Sequence, residues 1–382
     1  MIYLDNSAST QIAPEVLAAM MPYLTNEYGN ASSVHSLGSA ARVALEESRE
    51  TIARAINAEP REIIFTSGGT ESDNAAIKGP LFKKHLSGIA WNDLSLLTSR
   101  AEHSAILESA EFMEKLGVRL EYVDVESCGG VSAASVASKV GNDTTLVSLM
   151  MVNNETGAIS PIQDIAALVK SKSSAVFHCD GVQALGKLAL DVKSLGVDMM
   201  TLSAHKIHGP KGIGALYVRS GVEWEPLLRG GAQERNRRGG TEAVALAVGF
   251  AEAVRRIAGH ETDFRNLRSH LLERLQELPE VVLNSAKDDT SVNSIVNITF
   301  IPQILSRLDA DSIIIRFDMA GVAVSNGAAC TSGSQQPSHV LLACGKGTDI
   351  ASKSIRVSFS RYNTVSDIDG FIEALRGIIP KS

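Results

Sequence analysis

Lys206 lies in Ser203-Ala204-His205-Lys206-Ile207-His208-Gly209-Pro210-Lys211-Gly212, directly after the apolar run from Val197 to Leu202. A lysine in a polar turn after a buried strand can lose its proton through desolvation and attack a carbonyl as a neutral amine. Taken alone, the turn reads as surface, where lysines usually lie. Other residues shift that balance. Thr66-Ser67-Gly68-Gly69-Thr70-Glu71-Ser72-Asp73-Asn74 combines a strand end, two glycines and a helix start. Backbone N–H groups in such a turn can cradle phosphate, although an ordinary N-capped turn fits equally well. The Gly-Lys-Ser/Thr ending of a Walker loop is absent.

His103 follows a second apolar run, and Asn153-Asn154-Glu155 ends another. Asp180 ends a further run, with Gln183 three residues on. A strand-end histidine can stack on a planar ligand, or simply be a hydrogen-bonded loop residue. An Asp beside a nitrogen heterocycle keeps it protonated, which is what pyridoxal phosphate needs as an electron sink. Cradle, Asp and Lys at successive strand ends form one constellation. Cys330 stands in Ser325-Asn326-Gly327-Ala328-Ala329-Cys330-Thr331-Ser332-Gly333-Ser334. Free cysteines are usually buried, so a thiol among small polar residues suggests reactivity. Cys179 and Cys344 have apolar or helical neighbours and read as structural; Cys128 reads as an exposed loop thiol without a role.

These residues need a scaffold. The seven candidate strands are Glu62 to Thr66, Leu94 to Ser99, Arg119 to Val125, Thr145 to Val152, Ala175 to Asp180, Val197 to Leu202 and Ile213 to Val218. Helical stretches alternate with most of them. That predicts an α/β fold, with a seven-stranded mostly parallel sheet covered by helices. Ligands in such sheets collect at the carboxyl ends of the strands. After Thr241 come two helices, then shorter alternating elements, which read as a smaller α+β domain. The expected division is residues 15–260 as the large domain, and 1–14 with 261–382 as the small domain carrying the Cys330 loop.

The totals fit this picture. The chain has 382 residues, 44% of them hydrophobic and 21% charged, an ordinary globular composition. A net charge of −7 argues against non-specific nucleic-acid binding. No signal peptide and no membrane-spanning run are expected. The four cysteines form no Cys-x-x-Cys pair, and His205 with His208 has no third ligand nearby, so no metal is expected. The expected setting is cytoplasmic, with reduced thiols.

From Tyr3-Leu4-Asp5 to Arg356 the sequence resembles the NifS/IscS-type cysteine desulfurases, within the fold-type-I, class V aminotransferase group. The likeness is carried by the Lys206 motif, the Thr66-to-Asn74 turn, Glu102-His103, Asn153-Asn154-Glu155, Asp180 with Gln183, Arg238-x-Gly240-Thr241 and Arg356. The stretch through Pro337-Ser338-His339-Val340-Leu341 resembles the long-loop group. The resemblance implies that Lys206 holds pyridoxal phosphate as a Schiff base and that His103 stacks on its ring. Asp180 would pair with the ring nitrogen, while Gln183 and Asn154 would contact the ring oxygen region and substrate. Gly69, Thr70, Ser203 and His205 would hold the phosphate. Thr241 would reach the partner subunit's phosphate in a homodimer, and Arg356 would clamp the substrate carboxylate. The implied reaction converts L-cysteine to L-alanine, leaves sulfur on Cys330 as a persulfide, and passes it to a protein acceptor, as in iron–sulfur cluster assembly.

Three motifs depart from the usual pattern by small-residue exchanges: Gly327-Ala328-Ala329-Cys330, Arg238-Gly239-Gly240-Thr241 and Ser67-Gly68-Gly69-Thr70. The end at Ser382 is short beside the members that serve the iron–sulfur scaffold, which suggests a different docking contact. Alternative readings are a related class V enzyme, such as an aminotransferase or selenocysteine lyase, a desulfurase dedicated to DNA phosphorothioation, and a non-enzymatic relative that binds partners.

Overall fold

A computed structural model describes residues 1–257, 264–326 and 336–380. The chain opens on a short strand, β1 (Ile2–Tyr3), followed by helices α1 (Pro14–Thr25) and α2 (Ser36–Ala55). The apolar runs then become β2 (Ile63–Thr66), β3 (Ser95–Ser99), β4 (Arg119–Val123), β5 (Leu146–Met150), β6 (Val176–Asp180), β7 (Met199–Ser203) and β8 (Gly214–Val218). These seven form one sheet in the order β2-β8-β7-β6-β5-β3-β4. Only β8 is reversed: it pairs antiparallel with β2 and β7, while the other pairs are parallel. The expected α/β architecture is therefore the observed one.

Successive strand residues point to opposite faces, and both faces are covered. Leu97, Val147 and Phe177 enter one core with Ile52 of α2 and Phe250. Leu96 and Leu146, each one residue earlier, enter the other with Ile77, Leu81 and Ile106. Those last residues belong to α3 (Gly69–Leu86) and α4 (Ser104–Lys115). Double burial explains why the strands read as unbroken apolar runs rather than alternating ones.

A second core is built from the remainder. Strands β9 (Val281–Leu283) and β10 (Ile295–Phe300) form an antiparallel sheet with β12 (Ile355–Ser358), and β11 (Val322–Ala323) pairs with β1. The helices Ala310–Met319 and Val365–Ile378 cover it, with Phe317 stacked on Phe371 at 5.4 Å. Leu4 belongs to this core, so the N-terminus returns to the C-terminal unit. Just before β10, the Val292 N–H donates to Gly157 O at 2.9 Å in the loop that follows β5, and the strand begins three residues later. The expected boundary at 258–263 lies outside the described residues.

Candidate active site

Five chain segments leave the carboxyl edge of the sheet toward one cleft. From β2 comes Ser67–Thr70, and from β3 comes His103. Asn154 follows β5, Asp180 closes β6, and Lys206 follows β7 in a single 3-10 turn, Ala204–Lys206. The first residue of reversed β8, Gly214, pairs with both Thr66 and Ser203. A Cβ there would lie 2.6 Å from Leu202 O and 2.8 Å from Gly68, so only glycine lets these segments close up.

Lys206 turns its amine onto the N-terminal segment, donating to Ser7 O and to Ala8 O, the latter at 2.9 Å. Burial, reinforced by Arg356, lowers its pKa to about 8, while Asp180 and Asp5 oppose the shift. A sizeable neutral fraction therefore exists near neutral pH, as a carbonyl-attacking amine requires. Asp180 is 3% exposed and accepts from the Val182 N–H at 2.9 Å. Burial lifts it to about 6, with the Val182 bond and Lys206 pulling the other way. Beneath it, buried His178 bonds Ser148 Oγ at 2.8 Å and Thr201 Oγ1 at 3.0 Å. Burial drives His178 down to about 3, so a neutral imidazole supports the strand end.

The turn after β2 is shaped for an anion. Gly68 has φ 152°, open to glycine at little cost, and no side chain caps the following helix α3. The first N–H groups of α3 are thus left for a ligand, at the positive end of the helix dipole. The cleft beside them has a volume of ≈ 310 Å³ and is lined by Ser9, Gly69, Thr70, Ser203, His205 and Lys211, among others. Ser203 Oγ is buried without a hydrogen-bond partner among the described residues, and so is Asn154 Oδ1. Buried polar atoms are normally paired, so both call for a ligand partner. His205 Nδ1 lies 3.2 Å from Ser9 Oγ, and burial, followed by Lys206, lowers its pKa to about 4. An uncapped helix, a free serine hydroxyl, a desolvated lysine and a strand-end carboxylate suit pyridoxal phosphate as a donor set.

Known proteins agree. Residues 2–371 match the aminotransferase class-V family. The chain is 41% identical to cysteine desulfurase IscS of Methanosarcina thermophila over 385 residues, covering 100% of this chain and 92% of the relative. The chain belongs to the cysteine desulfurase family of class V aminotransferases. A solved NifS-like protein superposes with a TM-score of 0.89 at 33% identity, covering 99% of this chain and 98% of that one. A second structure, SspA in complex with cysteine, gives 0.82 at 34% identity over 95% of this chain and all of that one. Pyridoxal phosphate is the cofactor of these desulfurases and of their class V relatives.

Within this desulfurase the remaining predicted residues are distributed as follows. His103 is the N-cap of α4, its Nδ1 accepting from the Ala105 N–H at 3.1 Å. Its ring is exposed in the cleft, and desolvation, then Lys206 and His339, holds its pKa below the ordinary imidazole value. Arg356 in β12 is 4% exposed and donates to Asp5 Oδ1 at 2.9 Å and to Asn154 O at 3.0 Å. The small sheet thus reaches the same cleft. Gln183 is buried and donates to Ser7 O at 3.0 Å. Thr70 and Thr241 are exposed, Thr241 on a rim that also includes Ser67, Gly212 and Arg238. Cys330 lies outside the described residues. Cys179 and Cys344 are buried, as their neighbours suggested, and Cys128 is half-buried.

Sequence reasoning missed the segment from Asp5 to Thr10 as part of the site. It supplies Asp5 to Arg356, two carbonyls to Lys206, Ser9 to His205 and Thr10 Oγ1 to His205 O at 2.8 Å. Its run of small polar residues was a visible signal, but carbonyl contacts carry no residue signature. Lys187 was missed too, although it stands four residues after Gln183 on the same turn.

Proposed function

We propose that the chain is a pyridoxal-phosphate-dependent cysteine desulfurase that converts L-cysteine to L-alanine and loads the sulfur on Cys330. The observation that carries this is the desolvated Lys206 amine, which feels the charge of Asp180 and directly follows His205 on the wall of the cleft at the start of α3, in a chain alike to cysteine desulfurases over its full length.

Lys206 would hold the cofactor covalently, Asp180 its ring nitrogen, and Gly69, Thr70, Ser203 and His205 its phosphate. His103 would lie against the ring, with Gln183 and Asn154 at its oxygen. When bound, pyridoxal phosphate supplies the electron sink that makes the substrate α-carbon acidic. Arg356 binds the substrate carboxylate through its guanidinium fork, sharing it with Asp5. The Lys206 amine, neutral near its lowered pKa, takes the α-proton, and His103 serves as a second proton carrier. The Cys330 thiolate attacks the substrate sulfur; the carbon–sulfur bond breaks, its electron pair stays with the substrate carbon, which takes a proton and leaves as alanine, and the sulfur remains on Cys330 as a persulfide.

On the same reading Thr241 reaches the phosphate of a second copy in a homodimer, and the persulfide passes to a protein acceptor in the cytoplasm, as in iron–sulfur cluster assembly. The two domains on this reading are 15–260 and 1–14 with 261–382. No helix among the described residues is long and apolar enough to cross a membrane. The test is product analysis with L-cysteine and a reductant: alanine and sulfide in equal amounts support the reading, whereas pyruvate, or amino transfer to a keto acid, refutes it.

A further inference from the structure

Lys187 turns its amine inward and has no part in the reaction above. It donates a hydrogen bond to Gln183 Oε1. Gln183, 3% exposed, donates its Nε2 to Ser7 O at 3.0 Å, and the same carbonyl accepts from Lys206. One relay therefore runs from Lys187 through Gln183 and Ser7 to Lys206. A side-chain amide has one accepting end and one donating end, and an ammonium can only donate. A lysine at this position therefore decides which end of Gln183 faces the cleft.

We propose that Lys187 is a positioning residue for Lys206, holding the Gln183 amide oxygen so that its nitrogen stays on the Ser7 carbonyl that Lys206 also meets. This rests on the reading of Lys206 as the cofactor lysine. The charges around it are unbalanced. Lys187, Lys206, His208 and Arg361 line one cavity, together with Ser7, whose hydroxyl has no hydrogen-bond partner among the described residues. The charge of Arg356 in β12 lowers the pKa of both lysines. The opposing carboxylates, Asp180 and Asp5, act on Lys206. Burial, then Lys206 and Arg356, brings Lys187 down to about 7, consistent with two amines that repel each other's protons.

The test is a pH titration of the visible absorbance of the bound chromophore in the holoenzyme. Lys187→Met frees the Gln183 amide to turn and so removes a fixed donor from the ring oxygen, which is expected to raise the midpoint by about one pH unit. Lys187→Arg, which keeps the charge and the donors, should restore the wild-type midpoint. An unchanged midpoint in a folded Lys187→Met protein overturns the proposal. Should that variant not fold, Lys187→Gln replaces it, and an unchanged midpoint there overturns the proposal equally. The underlying reading fails separately: borohydride reduction followed by peptide mapping would then place the label on a lysine other than Lys206.

Discussion

Replacing Arg49 by Met should destabilise the protein strongly and loosen two rims of the site together. Arg49 is 3% exposed on α2, and its guanidinium meets Glu234 through two bonds of 2.6 and 2.9 Å. It also donates to Ile63 O at 2.9 Å, at the start of the strand leading to the phosphate turn. Glu234 accepts from the Phe65 N–H at 3.1 Å in that strand. Glu234, Arg235 and Asn236 have φ of 46°, 58° and 63°, a left-handed run that surrounding contacts must hold. The segment it begins carries Arg238, bonded to Glu71 at 3.0 and 3.2 Å, and Thr241. Without Arg49, Glu234 is a buried charge with one backbone donor. Breaking such a pair costs about 3–5 kcal/mol, which for a chain of this size lowers Tm by roughly 4–6 °C. Thermal unfolding of Arg49→Met, Glu234→Leu and the double variant gives the coupling, because replacing both ends with apolar groups removes the stranded charge. A coupling of about 2 kcal/mol or more is expected. A Tm within about 2 °C of wild type for Arg49→Met would refute the reasoning.

Formation of the visible chromophore from apo-protein and pyridoxal phosphate should gain rate as pH rises through about 8, since Lys206 titrates there rather than at the ordinary lysine value; a limb near 10.5 would contradict that environment. Arg356→Ala should lower kcat/KM for cysteine about 100-fold, mainly through KM, because a charge-assisted carboxylate contact is lost and Asp5 is left unpaired; steady-state kinetics decide. Glu102 is 1% exposed, and burial raises it to about 8 despite the hydroxyl of Ser99, so the folded state keeps a proton that the unfolded state has lost. Stability should therefore fall as pH climbs from about 4.5 to about 8, and Glu102→Gln should flatten that slope in denaturant titrations.

Much of the large sheet was legible because its strands are buried on both faces and so stand out as apolar runs, each placed to within a few residues. Lys206, Asp180 and the Gly68-Gly69 turn were legible because polar residues directly after such runs must lie at the sheet's edge. Arg356 was legible only through the family resemblance, since pairing of β12 with β10 is what brings it inward. Strand β9 was missed because three half-exposed residues carry no periodicity. The Asp5–Thr10 segment meets Lys206 through backbone carbonyls, and Lys187 acts through a glutamine, so neither contact announces itself by residue type.

The central claim concerns Cys330. Incubating the holoenzyme with L-cysteine without reductant, followed by peptide mass measurement, tests it most directly. The account predicts a gain of one sulfur atom on the Cys330 peptide, removed by reductant, and no such gain in Cys330→Ala, which keeps the bound chromophore but loses turnover. Sulfide release by Cys330→Ala at the wild-type rate, or sulfur carried on Cys128, Cys179 or Cys344 instead, would contradict it.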